Sequence, residues 1–252
     1  MRPSSPSSAA ALALAMLAGC ASGPTAKQRQ AAEIHHDLAV EALKAGRPQD
    51  AMREYDEALR IDPGMPEAHL GRGLVLEHGF GRTGEAEAEY RRAIATRAAY
   101  SEAHNNLGQL LARTGRYQEA ITHFDEALLS TFYMEPWVAR CNKGQALYRM
   151  GRREDGVAEL KACVAIAPRY CAGRRELGRL LLAEGKVKEA LEELTAYARH
   201  CDKVPDAHYQ LGLAQMKAGD LPSATQAFER CEALGGDGAI ADECRKSRLL
   251  LQ

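Results

Sequence analysis

The chain has 252 residues and a formal net charge of -1, and its composition is 46% hydrophobic, 27% charged and only 6% aromatic. A near-neutral chain lacks the basic surface of a nucleic-acid-binding protein, so we expect no nucleic-acid partner. The longest uninterrupted apolar stretch, Ala9 to Ala18, is too short to span a bilayer as a helix. Because aromatic residues are few, the apolar share comes largely from Ala and Leu, which favour closely packed helices.

Residues 1–19 are predicted to be a lipoprotein signal peptide. Arg2 supplies a positive charge, Ser4 to Ser8 form a polar spacer, and the apolar run follows. The run ends in residues 17–20 (LAGC), which resemble the bacterial lipobox, where cleavage precedes a Cys whose sulfur carries a diacylglycerol. The resemblance implies lipidation of Cys20. The alternative is an ordinary signal peptide with an incidental Cys.

Ala21 follows the predicted lipid-carrying Cys20. By resemblance to known lipoprotein sorting rules, an Asp at this position would favour the inner membrane, so Ala21 favours the outer membrane, with the protein facing the periplasm. Several acyl chains, each methylene contributing about 0.8 kcal/mol, anchor a protein without a transmembrane helix. Residues 21–31 (ASGPTAKQRQA) are predicted to be a flexible tether.

The rest of the chain repeats with a period of 34 to 36 residues, and each repeat has three mostly small positions and one bulky position. The first small position holds Ala39, Gly73, Gly108, Gly144, Gly178 and Gly212. The second small position holds Ala51, Ala86, Ala120, Gly156, Ala190 and Ala224. The bulky position, four residues later, holds Tyr55, Tyr90, Phe124, Leu160, Leu194 and Phe228. The third small position, three residues further on, holds Ala58, Ala93, Ala127, Cys163, Tyr197 and Cys231.

This spacing predicts pairs of antiparallel helices, because the small residues let two helices approach closely while the bulky residue fills the space toward the next unit. The pattern resembles the tetratricopeptide repeat (TPR), with local matches over residues 107–127. We predict an all-α, right-handed TPR superhelix, an α-solenoid whose concave face is built from the first helix of each pair. The predicted units are 32–65, 66–100, 101–136, 137–170, 171–204 and 205–238, with a capping helix over 239–251. A turn glycine is predicted in five units: Gly46, Gly115, Gly151, Gly185 and Gly219.

No catalytic or metal-binding motif stands out in the sequence. His35 and His36 are neighbours on a predicted helix and point about 100° apart, which suits neither a shared metal nor a catalytic pair. Glu85, Glu87 and Glu89 alternate, so we expect them to fan out over the solvated side of a helix and not to form a catalytic pair. We therefore expect no enzyme activity, no catalytic residue, no metal, no cofactor and no small-molecule substrate, and a protein segment as the ligand.

Six cysteines lie in the C-terminal half, and an exported protein meets an oxidising compartment, so disulfides are expected. Residues equidistant from the turn of an antiparallel helix pair lie opposite each other. This predicts the pairs Cys141 with Cys163, Cys171 with Cys201, and Cys231 with Cys244. Cys163 with Cys171 is also centred on a turn but leaves Cys141 and Cys201 without a partner. The alternative is that Cys163 and Cys231 are simply small buried residues.

The positions that face the predicted concave surface change in character along the chain. They are apolar at the N-terminal end and polar to basic toward the C-terminal end, so an apolar strip is expected to hold a hydrophobic anchor of the partner. The predicted partner-binding residues are Val40, Leu43, Leu70, Leu74, Asn105, Gln109 and Tyr148. The more basic positions are Arg113, Arg149, Arg175, Arg179 and Lys217. The alternative is that these leucines only pack against neighbouring helices.

A more specific resemblance comes from residues 103–108 (AHNNLG), 115–120 (GRYQEA), 142–144 (NKG) and the irregular stretch 128–136 (LLSTFYMEP), in which Phe132 replaces the usual Pro and two residues are inserted. Together with the lipobox and the six-repeat length, these are similar to the PilF/PilW family of type IV pilus biogenesis lipoproteins, and most similar to its Tgl-type members. The resemblance implies a pilotin, an outer-membrane lipoprotein that binds secretin subunits and promotes their assembly into the pilus pore used in motility. The alternatives are a TPR scaffold for another envelope assembly machine and, less favoured, a docking partner of a periplasmic enzyme.

Overall fold

The computed structural model describes residues 23–251, which fold into thirteen α-helices without a strand. The signal peptide and Cys20 lie outside these residues. Successive helices pair as antiparallel hairpins, and each hairpin packs against the next. The helices are α1 (Ala26–Lys44), α2 (Pro48–Ile61), α3 (Pro66–Leu74), α4 (Thr83–Thr96), α5 (Ser101–Arg113), α6 (Tyr117–Leu129), α7 (Pro136–Arg149), α8 (Arg153–Ile166), α9 (Cys171–Ala183), α10 (Val187–His200), α11 (Pro205–Lys217), α12 (Leu221–Gly235) and α13 (Ala239–Leu249).

Helix α1 begins earlier than the sequence predicts. Residues 26–31, expected to belong to a flexible tether, form the first turns of the helix. The reason is local, because Thr25 and Gln28 form a capping box in which each side chain bonds the backbone N–H of the other. Ala32 is also buried, so the start of the helix is stabilised both by its cap and by packing. The prediction of a tether as far as residue 31 is therefore wrong for its last six residues.

Each hairpin turns in three residues, and a glycine with positive φ makes this possible. Gly46, Gly115, Gly151, Gly185 and Gly219 have φ values between 69° and 92°, as the sequence predicts for turn glycines. A residue with a Cβ atom rarely adopts this backbone conformation. The N–H of Gly115 donates to the carbonyl of Ala112 and the N–H of Arg116 donates to that of Leu111, which closes the end of α5.

Close approach of the two helices explains the first small position. A Cβ atom added to Gly108 would lie 2.6 Å from Cε1 of Phe124, inside van der Waals contact. The ring of Phe124, fully buried at the bulky position, occupies the space that the glycine leaves open. The same arrangement recurs for Gly212 and Phe228. A small residue and a bulky residue thus form one packing unit in each hairpin.

The second unit contains one extra residue, and a π-helical turn accommodates it. The first and second small positions are thirteen residues apart in this unit (Gly73 to Ala86) but twelve residues apart in the other five units. Helix α3 continues into a π turn at Val75–Gly79 before the chain turns back. A π turn takes up one residue without changing the direction of the helix, so the packing of Tyr90 onto Gly73 is preserved.

Loops between units have four residues at every junction but one. Between α6 and α7 the loop has six residues, Ser130 to Glu135. These two additional residues are the insertion that the sequence shows in the stretch 128–136. This loop separates an N-terminal half, α1–α6, from a C-terminal half, α7–α13.

Three disulfides reinforce the C-terminal half. Cys141 is joined to Cys163 across α7 and α8, Cys171 is joined to Cys201, and Cys231 is joined to Cys244. The Cα atoms of the bonded residues are 5.4, 6.2 and 6.1 Å apart, which lies in the usual range. These are the three pairs that equal distance from a turn predicts.

Candidate functional site

The apolar residues predicted for the concave face contribute more to the core than to a surface. Leu70 is only 8% exposed and packs in a cluster with Leu107, Leu110 and the partly buried Leu74. Leu43 packs against a separate cluster around the ring of Tyr55. The prediction of an exposed strip is therefore wrong for Leu70, because the next unit covers it.

Val40 is half-buried and lies on the same helix as Leu43. The two N-terminal residues and the two on α3 belong to different clusters, so the structure does not bring all four together. A charge placed at Leu70 would disrupt packing rather than probe partner binding. The partner-binding role of this strip remains a prediction only for the exposed parts of Val40, Leu43 and Leu74.

The polar positions of α5 and α7 do come together, in an open groove of about 410 Å³. The Asn142 Nδ2 donates to Oδ1 of Asn105 over 3.0 Å, and Asn105 is itself buried. Gln109 and Gln145 line the groove beside Asn142, with Phe124 at its base. Side-chain amides offer both donors and acceptors, so such a groove can bond the backbone of an extended peptide.

Further toward the C-terminus, two of the predicted basic positions form ion pairs. Arg175 and Arg179 both contact Glu176, at 3.0 and 3.2 Å. The Tyr148 hydroxyl donates to Oε1 of Glu184 over 2.7 Å, and this bond raises the pKa of the tyrosine. The concave face is thus less basic than the sequence suggests, because Glu176 is supplied by the same helix as the arginines.

The most exposed apolar side chains of the described residues, apart from Leu250 near the C-terminus, lie where α6 meets α7. Leu129, Phe132 and Met134 are 74%, 89% and 78% exposed. We call these three residues the junction surface. Apolar side chains of this size, close together in the chain at the end of α6 and in the following loop, and open to solvent, are typical of a site that another protein covers.

Tyr133 holds the junction surface in place. Its ring is buried against Ala127, Ala139 and Leu128, and this burial raises the pKa of its hydroxyl above the usual range. The N–H of Tyr133 donates to the carbonyl of Ser130. With Tyr133 turned inward, the side chains before and after it project outward, so Phe132 and Met134 stay exposed on a fixed loop.

The sequence contains a signal for this surface, in the same stretch that carries the family resemblance. The signal is a loop two residues too long that carries Phe, Tyr and Met where turn residues are usual. Which of the three would be buried could not be read from the sequence, because it depends on the space between Ala127 and Ala139.

The histidines and acidic residues in the part of the chain that the structure describes form no metal-ligand cluster. No group of three or more His, Cys, Asp or Glu side chains there could hold a metal ion. His35 contacts Glu54, and the ring of His36 packs edge-on against Tyr55, so the two histidines serve separate contacts. No helix among residues 23–251 is long and apolar enough to cross a membrane.

Comparison with known protein families identifies the repeat. The family model described as "Tetratricopeptide repeat" matches residues 36–99, 79–133, 141–203 and 175–239, which together cover most of the chain. The all-α TPR solenoid predicted from the repeat spacing is thereby confirmed.

Among curated proteins, the chain is 30% identical over 106 residues to the type IV pilus assembly protein PilF of Pseudomonas aeruginosa, covering 42% of each chain. It is 26% identical over 179 residues, or 68% of its length, to the TPR repeat-containing thioredoxin TTL4 of Arabidopsis thaliana. The chain spans 25% of the length of TTL4 and 42% of the length of PilF.

Two solved structures share the fold. The crystal structure of PilW, described as a widely conserved type IV pilus biogenesis factor, superimposes with a TM-score of 0.78 at 23% identity, covering 85% of this chain and 98% of PilW. The structure of PilF from Pseudomonas aeruginosa gives a TM-score of 0.75 at 20% identity, covering 87% of this chain and 99% of PilF. At these identities the likeness concerns the arrangement of helices.

Proposed function

Since the chain belongs to the tetratricopeptide repeat family, we propose that it is a binding protein of type IV pilus biogenesis and that it has no catalytic activity of its own. The observation that carries this proposal is the junction surface, a fixed and exposed apolar group on a solenoid. The similarity to PilF and PilW supports the choice of the pilus machine among the possible envelope systems.

The partner we propose is the secretin subunit of the type IV pilus, and the role is that of a pilotin. An unassembled subunit of a multimeric pore exposes apolar segments that later become subunit contacts. Leu129, Phe132 and Met134 can cover such a segment, because fully burying a side chain of this size contributes about 1.5 to 3 kcal/mol. A few anchors of this kind, rather than total contact area, usually determine affinity.

The groove between α5 and α7 provides a second set of contacts in this proposal. Its amide side chains, Gln109, Asn142 and Gln145, can bond the backbone of a segment that is anchored at the junction surface. Apolar anchors would supply affinity, and amide bonds would align the segment. The Tgl-type role in motility is part of the same proposal and depends on the secretin assignment.

Membrane attachment is proposed to occur through the lipid on Cys20, at the inner leaflet of the outer membrane. Residues 21–25 would connect the lipid to α1, so the solenoid would stay close to the membrane. Replacing the lipid-carrying residue, Cys20→Ala, is expected to move the protein out of the membrane fraction with an unchanged circular dichroism spectrum. Retention in the outer-membrane fraction would contradict this anchor.

The test of partner binding is the double substitution Phe132→Glu with Met134→Glu. Both side chains are exposed, so the fold should persist, while burial of two new charges in an interface is strongly unfavourable. We expect at least a tenfold loss of the secretin subunit that co-purifies, and a matching loss of secretin multimers in the membrane fraction.

The matched control is Leu250→Glu, a hydrophobic-to-Glu change at a side chain that is 83% exposed and lies after α13, near the C-terminus. It should leave co-purification and multimer formation unchanged. Normal multimers with the double variant, at wild-type protein levels, would refute the junction surface as the secretin site. Loss of a different envelope protein from the purified complex, with secretin unaffected, would favour the alternative of another assembly machine.

A further inference from the structure

Five of the six helix hairpins share a polar contact between their two helices. The residue four positions before the first small position faces the residue three positions after the second small position. His35 contacts Glu54 at 2.7 Å, and Arg140 contacts Glu159 at 2.9 Å. The facing residues, in chain order, are His35 and Glu54, His69 and Glu89, His104 and His123, Arg140 and Glu159, and Arg174 and Glu193.

The third hairpin departs from this pattern, because His123 takes the place of the glutamate. Its Nδ1 lies 3.0 Å from Nδ1 of His104, and the ring centroids are 5.2 Å apart. In the sixth hairpin the equivalent position is Ala227, so the contact is absent there. Only the third hairpin therefore joins two groups that both become positive when protonated.

The hydrogen bonds determine where the protons are. Nε2 of His104 lies 2.9 Å from the carbonyl oxygen of Ala98, which can only accept, so Nε2 carries a proton. The neutral ring then has an unprotonated Nδ1, and His123 donates its own Nδ1 proton to it. The facing nitrogens thus share one proton. A second one would place two N–H groups against each other at 3.0 Å.

The second hairpin shows the opposite behaviour with the same first residue. Nε2 of His69 donates to the carbonyl of Pro63 over 3.0 Å, and its Nδ1 lies 2.7 Å from Oε2 of Glu89. The carboxylate of Glu89 can only accept, so a proton on Nδ1 of His69 is held by an opposite charge. Such a charge-assisted bond is stronger than a neutral one. The second hairpin therefore offers its histidine a carboxylate, whereas the third offers a second imidazole.

The surroundings of His123 disfavour its protonated form more than they favour it. Burial, together with His104 and with Arg91 on the neighbouring helix α4, lowers the pKa of His123 below its usual value. Glu119 and Glu126 on α6 act in the opposite direction. Glu119 is already bonded to Arg116 on the same helix turn, which leaves Glu126 as the remaining counter-charge.

We propose that the facing imidazoles of His104 and His123 make the third hairpin an acid-sensitive element of the solenoid, which loosens as the pH falls below neutrality. A second proton on the two facing nitrogens must break the hydrogen bond between the rings. In the unfolded chain both rings accept protons near pH 6.5. The contribution of this contact to the free energy of unfolding is therefore complete above about pH 6.5 and is lost as the pH falls below that value. This inference does not depend on the identity of the partner.

The test compares amide hydrogen exchange of the folded chain at pH 7.5 and pH 5.5, after correction for intrinsic exchange rates. Protection over α5 and α6 should fall about five- to tenfold more than protection over α3 and α4, because each displaced pKa unit is a tenfold change. The variant His123→Glu restores the glutamate of the other hairpins and should abolish the difference.

A reciprocal variant extends the test to the first hairpin. Glu54→His would place a second facing histidine pair beside His35, on a hairpin whose wild-type form lacks one. Its α1 and α2 amides should then acquire the same loss of protection at pH 5.5. If either variant fails to fold, NMR titration of the wild-type imidazoles replaces it, and His123 should show a pKa below the usual histidine value; an unshifted pKa of His123 would count against the inference.

Two results would overturn the inference. One is equal acid sensitivity of the second and third hairpins in the wild-type chain. The other is an unchanged loss of amide protection at pH 5.5 over the third hairpin of the folded His123→Glu variant. The imidazole of His123 would then have no influence on the acid response.

Discussion

The N-terminal and C-terminal halves of the solenoid use the same helix-pair plan but stabilise it differently. In the N-terminal half the bulky position always holds a buried aromatic ring, namely Tyr55, Tyr90 or Phe124. In the C-terminal half two of the three bulky residues are leucines, and three disulfides are added. The comparison indicates that covalent closure and packing volume can substitute for each other within one repeat.

The third small position shows how disulfides are added in the C-terminal half without disturbing the fold. Ala58, Ala93 and Ala127 occupy it in the N-terminal half, all fully buried. Cys163 and Cys231 occupy it in the C-terminal half and are also fully buried. A cysteine is only slightly larger than an alanine, so it fits the same space while its sulfur reaches the partner helix.

Each hairpin of a solenoid contacts only its neighbours, so changes to one half should remain local. The six-residue loop that carries the junction surface lies between the two halves. Stability can therefore be measured separately on the two sides of that loop, with each half serving as an internal reference for the other.

The largest difference between the halves should appear on reduction of the disulfides. Closing loops with residue separations of 22, 30 and 13 contributes about 3 kcal/mol per disulfide in the chain-entropy account. We expect amides of α7–α13 to lose protection by at least a hundredfold in a reductant, measured by hydrogen exchange. Amides of α1–α4 should change little, and an equal loss in both halves would show that the solenoid unfolds as one cooperative unit.

The next largest effect should come from Glu89, whose carboxylate is buried against α3 and not on the solvated side of its helix as the sequence predicts. Burial alone would raise its pKa, but the hydrogen bond from His69 and the charges of Arg72 and Arg92 lower it below the usual value. Glu89→Gln should lower the free energy of unfolding by about 2 to 3 kcal/mol, measured by urea denaturation, because charged donors lose their partner.

The matched control for that substitution is Glu193→Gln, at the same position of the fifth hairpin. There the glutamate is 23% exposed and the hairpin is also closed by Cys171 and Cys201. Glu193→Gln should therefore lower the free energy of unfolding by clearly less than Glu89→Gln does. An equal loss at both sites would contradict the role of the disulfide.

The stabilisation that Glu89 gives the wild-type chain should also disappear as the pH falls below about 4. The reason is that a carboxyl group whose pKa is lowered in the folded state stabilises the fold only while it is ionised.

A smaller loss of stability is expected on substitution of Gly156, because the fourth hairpin has glycine at both the first and the second small position. A Cβ atom there would lie 2.6 Å from the carbonyl oxygen of Gly144, which belongs to the backbone and cannot rotate away. Gly156→Ala should therefore destabilise by about 1 to 3 kcal/mol in thermal or urea denaturation. It would give the fourth hairpin the alanine that the third has at Ala120.

Gly84→Ala provides the control for that prediction. Gly84 lies in α4 with no other atom near the position of an added Cβ. Alanine is the better helix former, so this change should be neutral or slightly stabilising. Destabilisation of similar size at both glycines would mean that backbone propensity, and not close approach, determines the outcome at Gly156.

The repeat, its helices and the disulfide pairs follow from spacing, which explains why sequence reasoning reaches them. Gly46 and its equivalents mark turns because few other residues adopt positive φ. Cys141 and Cys163 are equidistant from such a turn and so lie opposite each other. The start of α1 does not follow from the repeat spacing, because it depends on the capping box of Thr25 and Gln28, which lies within a polar stretch before the first repeat.

The candidate site was less accessible to sequence reasoning. Leu70 occupies a position that faces the concave side in a generic repeat, yet the following unit covers it. For Leu70 the decisive neighbour depends on the angle between units, which periodicity does not specify. The pairing of Arg179 with Glu176, three residues earlier on the same helix, is by contrast a contact that helical spacing allows.

The sequence by itself determined the architecture of this protein: its helices, its repeat of 34 to 36 residues and the pairing of six cysteines. These depend on local backbone preference and on distance along the chain, both of which can be read from residue order. Only the tertiary structure decided which side chains stay exposed. Phe132 and Met134 face solvent because Tyr133 fills the space between Ala127 and Ala139, and that space exists only after two hairpins have packed.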